Sequence, residues 1–221
     1  MRKMILSPLF APIVAFLVMV LLGLAATYYR SNGIDTFFED GYFCDIVTYS
    51  LYGILLVCLL FFYKDFKGKF LTWIILLFLN VAAIFREAGI QHWLTSTDTT
   101  AIKLRFFTNP KNPLSEKIIA GILVLLVVTA VLYLVFKYTP KIWRCFWHKE
   151  AMYWSICTLC GMGLVSKIAD RFHGNWVKYT GEKLSDGAFF FSIMIEETSE
   201  ATLPLIALIA LIQWHLMKDN K

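Results

Sequence analysis

The stretch AFFFSIMIEETSEATLPLIALIALIQW, residues 188–214, carries Glu196, Glu197 and Glu200 inside an otherwise apolar run. About 20 predominantly apolar residues suffice for a helix to cross the roughly 30 Å hydrocarbon layer of a bilayer. An ionisable group near the centre of such a helix costs about 2.5 to 3.5 kcal/mol on insertion scales, so it faces a partner, a cavity or an ion rather than lipid. At about 100° per residue the three glutamates share an arc of about 100° on one helix face. The segment predicts a polytopic membrane protein with a buried acidic site. Pro204, one turn beyond Glu200, has no N–H to offer the Glu200 carbonyl, so a bend and a free carbonyl oxygen are expected there.

Working outward, the rest of the chain repeats the apolar pattern. Its 221 residues are 58% hydrophobic and 16% aromatic, with only 17% charged, far from the average of soluble domains. Six spans are expected, at about residues 5–28, 43–63, 70–90, 117–136, 151–169 and 188–214, forming one all-α integral membrane domain over residues 1–221. The first resembles a signal peptide in Met1, Arg2 and Lys3, but its apolar run exceeds a signal core and reads as a retained helix.

Six spans put both termini on one side. The short segments of that side concentrate Lys64, Lys67, Lys69, Lys137, Lys141, Arg144 and Lys149 against only Asp65 and Glu150. By the positive-inside rule both termini are cytoplasmic, in an inner or plasma membrane, with the other face turned to the periplasm or cell exterior. The two sides hold nearly equal numbers of basic residues, so this orientation rests on density in short loops. The net charge of +5 is distributed as such flanking determinants and forms no nucleic-acid footprint.

Polar residues recur at helical spacing in four spans: Asp45, Thr48, Tyr49 and Tyr52; Asn80, Glu87 and Gln91; Gly163, Ser166, Asp170 and His173; and the glutamates. Spans one and four are apolar throughout and are expected to face lipid. Under the inferred topology the stripes lie in the outer helix halves. Residues 53–63, 70–79 and 203–214 are nearly continuous hydrocarbon. A polar pocket open outward and closed below is the expected consequence.

Three neighbouring carboxylates cannot all stay ionised without positive charge nearby. Protonation, a basic partner such as Arg86 or Lys167, or a metal must resolve them. Asp170 and His173, at i and i+3, can meet one ion, and with Glu87 and Glu196 they form a candidate ligand set for a divalent Zn, Fe or Mn ion. Glu197, Glu200 and Asp45 remain as candidate acid–base groups, with Arg86 stabilising developing charge. Gln91, His92, Lys103, Arg105 and Arg171 are candidate substrate-binding residues. Lys103 and Arg105 alternate with apolar residues over 101–107, the pattern of an interfacial segment with cations at phosphate level.

Cys157 and Cys160 have thiol-redox spacing but lie in an apolar span, unlike the surface pair of membrane disulfide oxidoreductases, and read as packing residues. Glu196 and Glu197 resemble the paired glutamates of intramembrane CAAX-type proteases. Ala201 stands where that motif continues to an Arg, and a match of two residues carries no family assignment. The expected function is a membrane-embedded hydrolase or transferase with an outward-facing, metal-supported carboxylate and histidine site acting on an outer-leaflet lipid or lipid-linked substrate. Two other classes fit the same residues: a cation- or proton-coupled transporter or oligomeric channel using the glutamates as ion site, and a structural or sensor subunit of a membrane complex.

Overall fold

The computed structural model describes residues 2–34, 36–38, 43–89 and 104–218. Among the described residues there is no strand, and six helices are long and apolar enough to cross a membrane. They are α1 (Phe10–Ser31), α2 (Phe43–Phe61), α3 (Phe70–Glu87), α4 (Leu114–Trp147), α5 (Ala151–Thr180) and α6 (Asp186–Lys218). The protein is thus an all-α, multi-pass membrane protein. By internal packing the chain divides into two compact units, one of Met1–Cys58 with Cys145–Lys221 and one of Leu59–Arg144.

Helix boundaries depart from the apolar runs for local reasons. Residues Arg2–Ile5 form a separate turn, and α1 begins only at Phe10, which places Pro12 in the first helical turn, where a missing N–H removes no intrahelical bond. Helix α5 runs past its apolar part to Thr180 and stops at Gly181, whose φ of 74° gives the left-handed cap that glycine adopts without strain. An apolar run limits how much helix can sit in hydrocarbon; it does not set where the helix ends.

The first unit is built on α5 and α6, with α1 packed against α6. The buried face of α1 is Ala11, Ala15, Gly23 and Ala26, small residues that let helix backbones approach closely. Ala11 and Ala15 cluster with Ile206 and Ile209, and a Cβ on Gly23 would lie 3.2 Å from Met194 Sδ. Helix α1 is therefore lipid-facing on one side only, with Phe16, Leu21 and Leu24 exposed. This corrects the expectation that the whole helix faces lipid.

Polar ties fix the unit near the α6 C-terminus. Gln213 is fully buried; its Oε1 accepts from Ser155 Oγ at 2.6 Å and its Nε2 donates to the Ile5 carbonyl at 2.8 Å. Arg2 Nη2 donates to the Leu216 carbonyl at 3.0 Å, one of the carbonyls that a helix end leaves without an intrahelical partner.

In the second unit Trp73 Nε1 donates to the Leu59 carbonyl at 2.9 Å. A short helical turn, Leu104–Thr108, packs on α4 through Phe106, which is fully buried with Ala120 beside it. Asn112 Nδ2 holds the Phe106 carbonyl at 2.7 Å. Helix α4 is largely uncovered, with Leu125 and Phe136 well exposed, as its apolar circumference leads one to expect.

Candidate functional site

Helix α6 starts at Asp186, just after Ser185, whose Oγ accepts from the Ala188 N–H at 3.4 Å, the bond an N-terminal cap supplies. At 1.5 Å per residue Glu196 lies about 15 Å and Glu200 about 21 Å along the helix. The register against α5 is antiparallel. His173 packs on Phe189 with ring centroids 4.8 Å apart, Ser192 Oγ donates to the Ala169 carbonyl at 3.0 Å, and Ser155 meets Gln213.

Within this register Glu200 reaches one turn back toward the α6 N-terminus, the direction in which helical side chains lean. Its Oε1 accepts from Ser166 Oγ at 2.8 Å and lies 3.4 Å from Lys167 Nζ. The same ammonium lies 3.3 Å from Asp170 Oδ2. The Glu200 side chain is 12% exposed against 53% for Lys167, so one lysine links a surface carboxylate, Asp170, to an interior one. This stretch of the two helices is rich in hydroxyl residues. Ser166, Thr198, Ser199 and Thr202 are all buried. Thr198 and Thr202 return their hydrogens to the carbonyls of Met194 and Ser199, and Ser199 Oγ has no hydrogen-bond partner among the described residues. Pro204 is buried within α6, so the carbonyl of Glu200 receives no N–H from it.

The start of α2 also touches the glutamate stretch. Cys44 Sγ donates to the Glu197 carbonyl at 3.7 Å. Asp45, Glu196 and Glu197 are all half-buried. Beyond Pro204 the same unit turns dry, with Ile206, Ile209 and Leu211 buried.

The remaining candidates have separate placements. Arg86 and Glu87 belong to the second unit, where their side chains pair at 3.5 Å. Arg171 is exposed on α5, where it lines with Lys167, Phe172, Asn175 and Trp176 an open groove of about 450 Å³. Gln91, His92 and Lys103 lie outside the described residues, as does the side chain of Arg105.

Among the described residues no three His, Cys, Asp or Glu side chains gather into a set able to hold a metal ion. Asp170 is turned to Lys167, not His173. The His173 Nδ1 is buried without a hydrogen-bond partner. Lys167 and Ser166, both partners of Glu200, were marked only faintly by the sequence, one as a possible counter-ion and the other as a member of a polar stripe. No known protein family matches the chain, nor does any curated protein or solved structure.

Proposed function

We propose that the protein is a membrane-embedded enzyme, a hydrolase or transferase, acting on an anionic lipid or lipid-linked substrate, with Glu200 as the acid–base group. The observation that carries this reading is Lys167, which borders the α5 groove while its ammonium reaches the largely covered Glu200 side chain. A substrate phosphate entering the groove meets Lys167 and Arg171 as its charge partners. As Lys167 turns to the phosphate, Glu200 is released to take a proton from water or a substrate hydroxyl, with Ser166 fixing its orientation. Glu196, Glu197 and Asp45 supply further acidic character on the same side of the unit. The density of Lys and Arg in the short segments favours cytoplasmic termini and an outward-facing site in the inner or plasma membrane.

A divalent Zn, Fe or Mn ion is an addition to this reading, not a requirement of it. His173, with its unpartnered Nδ1, is the side chain that offers it a ligand atom. One equivalent of metal in purified protein supports the addition; none removes it.

A second reading is proton- or cation-coupled transport, favoured by the sharing of Lys167 between Asp170 and Glu200. The packed residues Ile206 and Ile209 and the Gln213–Ser155 tie below the site favour a pocket with one entrance. Comparative lipid mass spectrometry of cells with and without the protein tests the enzyme reading, which expects a lipid species to accumulate in its absence. Unchanged lipids, with cation flux through reconstituted protein, establish transport instead.

A further inference from the structure

A second polar cluster lies in the other unit, among residues given no role in the site above. Lys137 Nζ on α4 donates to Thr72 Oγ1 on α3 at 3.1 Å and to Tyr133 Oη at 2.5 Å, and Thr72 Oγ1 lies 2.9 Å from Tyr138 Oη. The ammonium also sits 4.8 Å from the centroid of the Tyr133 ring and 5.6 Å from that of Tyr138. Thr72 is buried, the two tyrosines are half-buried, and Lys137 is exposed. No carboxylate among the described residues pairs with this lysine.

The hydrogens can be assigned. An ammonium has three N–H donors and each hydroxyl has one. Two of the ammonium hydrogens go to Thr72 and Tyr133, leaving one. Tyr133 accepts from Lys137 and also hydrogen-bonds Thr72. The three hydroxyls have three hydrogens, and the contacts Thr72–Tyr133 and Thr72–Tyr138 take up two of them. The cluster therefore presents one N–H and one O–H donor with a positive charge and no carboxylate to answer it.

A site with donors and charge but no counter-charge is complementary to an oxyanion, and a tetrahedral phosphate has the acceptor oxygens to meet both donors. The flanks decide its source. Phe70 and Leu71 on α3 and Val135 and Phe136 on α4 are exposed apolar side chains next to the cluster in sequence, suited to acyl chains and not to water. Lys69, three residues before Thr72, adds positive charge to the α3 flank. We infer that Thr72, Tyr133, Lys137 and Tyr138 form a binding site for the phosphate of an anionic membrane phospholipid. The inference is independent of Glu200 and of the reaction proposed for it.

Native mass spectrometry of the full-length protein in detergent, titrated with dioleoylphosphatidylglycerol or dioleoylphosphatidylcholine, tests it. Phosphatidylglycerol is expected to bind the more tightly. Lys137→Gln should weaken that binding by about fivefold, the worth of one lysine against anionic lipid. Tyr133→Phe, which keeps the ring and its packing, should weaken it by at least about twofold. Lys141→Gln, a lysine of the same helix outside the cluster, should leave it unchanged. Equal losses from Lys141→Gln and Lys137→Gln, or no loss from either, would overturn the site in favour of diffuse charge attraction. Displacement of the lipid by millimolar inorganic phosphate would overturn its assignment to a lipid.

Discussion

Replacing Gln213 by Leu removes the amide that ties three segments together while keeping nearly the same side-chain volume. Gln213 is 0% exposed, so no solvent substitutes for it, and the change leaves the Ile5 carbonyl and Ser155 Oγ without the partners they hold at 2.8 and 2.6 Å. Interhelical side-chain bonds in membrane proteins contribute about 0.6 kcal/mol on average and up to about 1.7 kcal/mol. Two of them give an expected loss of about 1 to 3 kcal/mol. Ser155 retains its weaker bond to the Ala151 carbonyl at 3.2 Å, so most of the loss falls on the Ile5 tie and loosens the N-terminal segment. Unfolding in mixed micelles by added SDS measures the total, and a double-mutant cycle with Ser155→Ala isolates the pair. A coupling of at least about 0.5 kcal/mol is expected, together with faster proteolysis of the N-terminal residues in Gln213→Leu. A neutral Gln213→Leu with no coupling to Ser155 would refute the view that this buried tie holds the dry end of the unit.

Two further outcomes are expected. Gly23→Leu should destabilise the first unit by about 1 to 3 kcal/mol through overpacking against Met194, whereas Gly23→Ala, which needs only a shift of a flexible methionine end, should stay close to wild type in the same SDS assay; equal effects would show that α1 does not pack there. In a background without the five native cysteines, Lys178→Cys should react with a membrane-impermeant thiol reagent added to intact cells and Lys67→Cys should not; the reverse pattern inverts the proposed orientation.

Much of the fold was legible because hydropathy is summed over some twenty residues and tolerates local error. The inward face of α1 was not, because Ala11, Ala15 and Gly23 carry no polar side-chain group and are set apart from leucine by size, which a pattern of polar against apolar residues does not register. Gln213 went unremarked for a related reason, since one polar residue near the end of an apolar run reads as an interface residue. At the site, Ser166 of the α5 polar stripe donates to Glu200. Asp170 and His173, although three residues apart, do not share the buried line, which follows Ser166, Ala169 and His173. Lys167, at i−3 from Asp170, takes that carboxylate by the ordinary helical pairing rule. Spacing alone could not say which of these two neighbours would win.

The central claim is that Glu200 is an acid–base group and not a structural counter-ion, and the sharpest measurement is complementation by Glu200→Gln read out by lipid mass spectrometry. Gln keeps the shape of the side chain and can still accept from Ser166 Oγ, but it has no carboxylate to receive a proton. Cells lacking the protein are expected to accumulate one lipid species, wild type to clear it, and Glu200→Gln, present in the membrane at the wild-type level, to leave it uncleared. Clearance by Glu200→Gln at the wild-type rate would contradict the account.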